Sequence, residues 1–111
     1  MYLWKRCSNK FYISKKKINI GNISVYPNNT LLDQIIRENL SLKNTYAYHV
    51  FTKFLNCTTG NTYLIVDINN YRAIKFYEKA KMVKLDEYMS KDEKKKKLIF
   101  VYYKNYNMDL N

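Results

Sequence analysis

Residues 63–82 read YLIVDINNYRAIKFYEKAKM and predict a strand that is followed directly by a helix. The run 63–68 is continuously apolar and of strand length, which is typical of a central strand buried on both faces. Asn70 is a favourable N-cap for the helix. Apolar side chains share one face of that helix, at Ala73, Phe76, Tyr77 and Ala80. The stretch therefore predicts a helix packed on a sheet.

The sequence on either side of this unit extends the sheet and adds a second helix. Residues 47–55 carry an apolar stripe at helical spacing, and Gly60 suits a left-handed exit from that helix. Alternation over 83–89 and an apolar run over 98–103 predict two further strands. The charged residues 91–97 would connect these two strands as an antiparallel pair.

The first 40 residues predict one strand region and one helix. Apolar and polar residues alternate over 18–26, interrupted by Gly21, where we expect a bulge or a close backbone approach. Thr30 and Asp33 form a capping-box-like start, and the apolar residues of 31–40 follow a helical period. The predicted order is β-α-α-β-α-β-β, and the predicted fold class is α/β with a mixed sheet.

Length and charge narrow the classes of possible partner but do not identify one. The 111 residues predict a single domain over 1–111, in which the basic and aromatic residues 1–17 form either sheet or a flexible segment. Twenty Lys and Arg against nine Asp and Glu give a net charge of +11. An anionic partner is indicated, and nucleic acid, a phosphate-rich cofactor and an acidic membrane surface all fit.

Cysteine, histidine and apolar runs argue against several classes of site. Cys7, Cys57 and His49 are too few and too widely spaced for zinc, so no metal is expected. Two free thiols fit an intracellular, cytoplasmic protein, with a disulfide as the alternative. No run of about 18 apolar residues is present to span a membrane. Because the first acidic residue is Asp33, organellar targeting also stays open.

Residues 63–82 resemble the carboxyl-terminal half of the GNAT (Gcn5-related N-acetyltransferase) superfamily. The family pattern is an apolar strand, a short turn and N-x-x-A-x-x-(F)-Y-E-K-x-G-F. Six positions match it in register, namely Asn70, Ala73, Phe76, Tyr77, Glu78 and Lys79. Lys81 and Met82 stand where the family has Gly-Phe. The resemblance extends over about residues 63–103, and more weakly back to Lys43.

This resemblance implies a site between two splayed parallel strands, into which the pantetheine arm of acetyl-CoA enters. One strand would be residues 62–68, and the other would be residues 20–26. Asn70 and Arg72 would bind the cofactor from the start of the helix. The phenol of Tyr77 would protonate the departing CoA thiolate, and a phenol pKa of about 10 suits that task. Otherwise, Tyr77 is simply a half-buried aromatic residue on an amphipathic helix.

The resemblance also implies a loop that holds the CoA diphosphate at a helix N-terminus. The best candidate is residues 42–47, in which only Ala47 matches the family's Q/R-x-x-G-x-G/A pattern. Thr45 replaces the first glycine, and its Cβ narrows the close approach that glycine permits. The candidate cofactor-binding residues of this loop are Lys43, Asn44, Thr45, Tyr46 and Ala47. The predicted helix 31–40 would separate this loop from the first splayed strand, which is a departure from the family.

The sequence supports two classes of function. The first is an acetyl-CoA-dependent N-acyltransferase whose acceptor is an amine, such as an amino-sugar phosphate or a protein amine. The second is a non-catalytic, basic, GNAT-like structural or RNA-associated subunit, favoured by the degraded glycine loop and by a chain short of family elements at its start. A homodimer or a partner subunit would complete the acceptor site. His49 is interpreted as a surface residue, so no general base is identified.

Overall fold

The computed structural model describes residues 2–6, 9–14, 17–21, 23–26, 28–37 and 44–104. These ranges form eight strands and two helices. The strands are β1 Tyr2–Arg6, β2 Asn9–Ser14, β3 Ile18–Ile20, β4 Ile23–Val25, β5 Thr30–Arg37, β6 Thr62–Asp67, β7 Val83–Met89 and β8 Lys96–Tyr102. The helices are α1 Asn44–Cys57 and α2 Tyr71–Lys79.

Six of the strands form one mixed sheet in the order β1-β2-β5-β6-β8-β7. Only β5 and β6 pair in parallel, while the other four neighbouring pairs are antiparallel. The crossover between β5 and β6 contains α1, as a parallel connection requires. Strands β3 and β4 form a separate hairpin. The predicted fold class, a mixed α/β sheet flanked by helices, is confirmed.

Both helices cover the same face of the sheet, which we call the helix face. Phe51 and Phe54 of α1 are completely buried there, and the ring of Phe54 stacks on Phe11 of β2 at 4.3 Å. Helix α2 adds Phe76, whose ring lies 5.3 Å from that of Phe51. The apolar stripes predicted for both helices therefore build the main core.

The hairpin β3–β4 covers the opposite face, which we call the hairpin face. Ile20 and Val25 pack there on Leu31 of β5 and Ile99 of β8. Gly21 turns the hairpin with φ of +59°. A Cβ at this position would lie 2.9 Å from the ring of Tyr88, so the expected close approach is present.

The helix predicted for residues 31–40 is wrong, since residues 30–37 are strand β5. Because β5 carries apolar residues on both faces, its sequence lacks the alternation of apolar and polar residues that is typical of a strand. Leu31 faces the hairpin cluster, and Leu32 faces the helix cluster. The register with β2 also slips by one residue, because Ile13 pairs with Leu32 while Tyr12 pairs with Gln34. This bulge returns Ile35 to the helix face and so produces a helix-like spacing.

Two other predictions for the strands also need correction. Residues 20–26 are not the first splayed strand, because they belong to the hairpin, and β5 takes that place beside β6. Strand β6 is not buried on both faces, since Ile65 remains 36% exposed. Within the basic amino-terminal stretch, β1 and β2 pair with each other, and β2 pairs with β5.

Candidate functional site

The two parallel strands separate soon after they meet. They pair only at Thr30–Thr62, Leu31–Tyr63 and Leu32–Leu64. Beyond that point β5 stays paired with β2 as far as Arg37, and β6 stays paired with β8 as far as Asp67. Each strand therefore has an unpaired edge that faces the other across a gap, bounded by residues 33–37 and 65–67.

The amino ends of the same two strands are held tightly together. Thr30 and Thr62 are both completely buried, and the backbone N–H of Thr30 donates to the carbonyl of Asn61 at 2.9 Å. The Asn29 side-chain oxygen accepts a hydrogen bond from the Asn61 N–H at 2.9 Å. Because the amino ends are locked and the carboxyl ends are not, the gap opens at the carboxyl edge of the sheet.

Helix α1 begins at this edge, since it runs back across the sheet from the end of β5 towards the start of β6. Its first four residues, 44–47, provide backbone N–H groups that have no partner within the helix. Its first turn contains no acidic residue, so none of its own first side chains compensates the positive end of the helix dipole. The predicted loop residue Lys43 lies outside the described residues.

Helix α2 also begins at the carboxyl edge, directly after β6. Asn70 is its N-cap, as predicted, and its Oδ1 accepts a hydrogen bond from the Ala73 N–H at 3.2 Å. Arg72 is exposed in the first turn. Of the predicted residues, 44–47, Asn70 and Arg72 thus all lie on helices that start beside the gap.

The hydrogen bonds at the end of α2 explain how Lys81 and Met82 can stand where the family has Gly-Phe. The Met82 N–H donates to the Tyr77 carbonyl, and the Lys81 N–H donates to the Glu78 carbonyl, both at 3.0 Å. These two bonds form a Schellman motif, whose left-handed position normally holds glycine. Lys81 occupies that position with φ of +73°. Met82 is buried in the helix-face core. The chain therefore keeps the geometry of a Gly-Phe pair without its residues.

Tyr77 lies half-buried on the helix face. Its ring centroid is 5.6 Å from that of Phe51 and 6.2 Å from that of Phe100. Phe100 pairs with Leu64, which is the last residue of β6 to pair with β5. Burial raises the pKa of Tyr77 above its usual value, so the phenol is protonated at neutral pH. Its hydroxyl has no hydrogen-bond partner in the part of the chain that the structure describes.

Two carboxylates near the gap were not predicted from the sequence to be site residues. Asp33 is the first residue of β5 beyond its last pair with β6, and it is the extra residue of the bulge. Asp67 ends β6 and accepts a hydrogen bond from Lys97 Nζ at 2.5 Å. Lys97 also reaches Glu93 at 2.7 Å. The splayed strand predicted over residues 62–68 already contained Asp67, whereas the helix predicted for 31–40 concealed the position of Asp33.

Other candidate residues lie elsewhere. His49 is exposed on α1, as predicted. Cys57 is an exposed free thiol, and Cys7 lies outside the described residues. Over the ranges that the structure describes, no three His, Cys, Asp or Glu side chains are grouped as a metal ion would need. No helix among those residues is long and apolar enough to cross a membrane.

Comparison with known proteins identifies the architecture. No family model and no curated protein matches the sequence. Among solved structures, a GNAT family acetyltransferase from Bacillus cereus is similar over 87% of this chain, with a TM-score of 0.65 and 17% identity. An aminoglycoside N(6')-acetyltransferase from Legionella pneumophila gives a TM-score of 0.67 over 86% at 16% identity. Arabidopsis thaliana NAA60 in complex with acetyl-CoA gives 0.58 over 87% at 15% identity.

The three similar proteins are longer than this chain, which spans 63%, 55% and 64% of their respective lengths. The similarity extends over 86–87% of this chain in all three comparisons. At these identities the likeness establishes the fold. The chain therefore has the fold of the GNAT acetyltransferases.

Proposed function

We propose that this protein is a divergent GNAT-superfamily N-acyltransferase that transfers an acetyl group from acetyl-CoA to a primary amine. The observation that carries the proposal is the gap between β5 and β6, where two parallel strands part after three residue pairs. The backbone edges along this gap can hydrogen-bond an extended ligand arm. Two helix N-termini flank its open end and suit anionic groups.

Several residues would bind the cosubstrate. The N–H groups of Asn44, Thr45, Tyr46 and Ala47 would hold the CoA diphosphate, with Lys43 adding positive charge. This fit is better than the sequence suggested, because residues 30–37, which include most of the predicted helix 31–40, are strand β5. Asn70 and Arg72 would contact the pantetheine arm and the phosphates from the start of α2.

The proposed reaction is direct attack of the amine nitrogen on the thioester carbonyl carbon. Backbone N–H groups along β5 would polarise the carbonyl, since they lack partners on β6 beyond Leu32. Tyr77 would then protonate the sulfur as the C–S bond breaks. Its position on the helix face and its raised pKa suit an acid that must stay protonated until the thiolate forms.

For the acceptor, we propose a chemical class, which is a primary amine. The similar structures include an acetyltransferase named for an aminoglycoside, which is an amine acceptor. An amino-sugar phosphate or a protein amine would suit this basic chain. A partner subunit or a second copy would complete the acceptor side of the site.

Acetyl-CoA binding tests the proposal directly. A micromolar Kd at millimolar ligand stabilises the folded state by about 4 kcal/mol, which thermal denaturation detects easily. If acetyl-CoA does not shift the melting temperature and the protein shows salt-sensitive RNA binding, the result would favour the non-catalytic RNA-associated subunit and overturn the proposed enzymatic function.

Replacing Tyr77 tests the catalytic step. Tyr77→Phe keeps the ring that packs on Phe51 and Phe100, and it removes only the hydroxyl. Turnover of acetyl-CoA with an amine panel should fall by about 10²–10⁴-fold, with little change in acetyl-CoA affinity. Equal losses in turnover and affinity would indicate that the residue is structural.

A further inference from the structure

The gap opens onto both faces of the sheet, and each face presents different groups. On the helix face, Tyr77 packs over Phe100, next to the point where β5 and β6 part. The hairpin face carries the alternate residues of the same strands. On β6 these are Ile65 and Asp67, which follow Tyr63 of the hairpin cluster. The side opposite Tyr77 is therefore partly exposed and polar.

Asp33 occupies the β5 side of this face. Leu31 points into the hairpin cluster, while Leu32 and Ile35 both face the helix cluster. The two bulge residues between them, Asp33 and Gln34, therefore turn away from the helix cluster towards the hairpin face. The bulge leaves Asp33 without a direct partner on β2, and β5 has no partner on β6 from this residue onwards. The side chain is exposed at the beginning of the gap.

An amine acceptor brings a specific chemical need to this position. Alkyl amines are protonated at neutral pH, and an ammonium ion has no lone pair with which to attack a carbonyl. A carboxylate within reach of the nitrogen can remove the proton. The partial burial of Asp33 raises its pKa above the usual value, which makes it a stronger base than a fully hydrated aspartate.

The other candidate bases that the structure describes near the gap either form ion pairs or lie away from it. The hydrogen bond from Lys97 lowers the pKa of Asp67 and so weakens it as a base. Glu87 is bound by Lys84 and Lys96 on the outer strands. His49 is exposed on α1 rather than on a strand of the gap. No ion pair joins Asp33 to any other residue that the structure describes.

We propose that Asp33 is the general base of acetyl transfer, acting from the hairpin face while Tyr77 acts from the helix face. This assignment rests on the proposed function. Asp33 takes one proton from the ammonium, and the nitrogen lone pair forms the C–N bond. The C–S bond breaks, and sulfur takes the proton of Tyr77. The second nitrogen proton replaces it on Tyr77, and Asp33 releases its own to solvent, leaving an amide and free CoA.

The test compares acceptors that need a base with one that does not. Acetyl transfer from acetyl-CoA is measured at pH 7 with alkyl amines, namely spermidine and an aminoglycoside, and with hydroxylamine, which is largely unprotonated at that pH. Asp33→Asn should slow transfer to the alkyl amine that the wild type uses by about 10²–10⁴-fold. Transfer to hydroxylamine and the Kd for acetyl-CoA should change by less than threefold.

Three further variants control for structural effects. Asp33→Glu should recover part of the lost rate because it restores a carboxylate. Asp33→Ser repeats the test if the asparagine variant folds poorly. Asp92→Asn removes a carboxylate from the turn after β7 and should leave all rates unchanged, since Asp92 is exposed there.

The outcomes separate the two proposals. A wild-type protein that neither binds acetyl-CoA nor acetylates any amine overturns the proposed function, and the role of Asp33 with it. A wild type that acetylates amines while Asp33→Asn matches its rate overturns only the general base. Equal slowing with alkyl amines and hydroxylamine also overturns it, because a positioning role would affect both acceptors alike.

Discussion

Lys81 shows how a single residue can keep a conformation that does not suit it. Its φ of +73° is in the left-handed region, which costs a residue with a Cβ about 1–2 kcal/mol. The structure maintains this geometry through the two Schellman hydrogen bonds and the burial of Met82. The strain is thus offset by the packing of the helix end that carries Tyr77.

Lys81→Gly should therefore stabilise the protein. We expect the free energy of unfolding to rise by about 0.5–1 kcal/mol, because relief of strain exceeds the added entropy of the unfolded chain. Urea denaturation measures the change. Lys75→Gly, on the exposed face of the same helix, should instead lower it by about 1 kcal/mol. Destabilisation by both variants would contradict our account of Lys81.

The residues of α2 were also the easiest to predict from the sequence. The N-cap of Asn70, the buried side of the helix and the replacement of Gly-Phe are all local patterns that can be read over 13 residues. Asp33 differs, because its position depends on pairing with β2 and on loss of pairing with β6. A strand register is a long-range property that no local period encodes.

At the scale of elements, the tight junction between β5 and β6 depends on Gly60. This residue has φ of +64°, and a Cβ would collide with the backbone carbonyl of Asn28. The same loop carries Asn61, which bonds to Asn29 and Thr30 at the start of β5. The loop after α1 therefore fixes the end of the sheet opposite the gap.

Gly60→Ala should lower the free energy of unfolding by about 2–4 kcal/mol, because the cost of a left-handed conformation for alanine adds to the cost of the backbone collision. Gly21→Ala is the matched comparison. It also has a positive φ, but its Cβ would meet the side chain of Tyr88, which can move. Thermal denaturation should rank Gly60→Ala as the more damaging variant. Equal effects would show that the backbone collision is relieved cheaply.

The ion pair of Asp67 and Lys97 joins β6 to β8 beside the gap. The hydrogen bond from Lys97 lowers the pKa of Asp67, and the bond to Asp67 raises the pKa of Lys97 to about 12. A lowered carboxyl pKa gives stability above the unfolded value near 3.8 and loses it as the pH falls through the lower folded value. A raised lysine pKa gives stability that is lost as the pH rises from 10.5 towards about 12.

Asp67→Asn should therefore be less stable than the wild type at pH 7, and the difference should shrink as the pH falls below about 4. Urea denaturation at pH 7 and at pH 3 measures both values. Asp92→Asn, on an exposed turn, serves as the control with no expected difference at either pH. A difference for Asp67→Asn that is as large at pH 3 as at pH 7 would show that the effect is not electrostatic.

The arrangement of the elements also explains why the helix predicted for residues 31–40 is wrong. Leu31, Leu32 and Ile35 have helical spacing, but they satisfy two cores on opposite faces of one bulged strand. The sequence carried no sign that a hairpin would cover the second face. By contrast, α1 has a single buried stripe and was predicted with its left-handed exit at Gly60.

At the scale of the whole molecule, the net charge of +11 is relevant to an anionic cosubstrate. The exposed lysines of the turn after β7, Lys91, Lys94 and Lys95, form no ion pair with other described residues. Lys96 and Lys97 are neutralised by Glu87, Asp67 and Glu93. Part of the positive charge near this turn is thus neutralised, while Lys91, Lys94 and Lys95 keep theirs.

Acetyl-CoA binding should weaken as ionic strength rises, because screening shortens the Debye length from about 10 Å at 0.1 M to about 3 Å at 1 M. We expect the Kd to increase several-fold between these concentrations, as measured by calorimetry with one salt. The free energy of unfolding, measured in parallel, controls for destabilisation. A Kd that is independent of salt would show that the charge does not assist the cosubstrate.

The short pairing of β5 with β6 has a consequence for where the folded sheet can open. It divides the sheet into two antiparallel leaves of three strands, one built from residues 2–37 and the other from residues 62–102. Three residue pairs join the leaves, whereas six pairs join β6 to β8 within the second leaf. The seam at which the leaves meet is therefore the place where we expect the native sheet to open most easily by local unfolding.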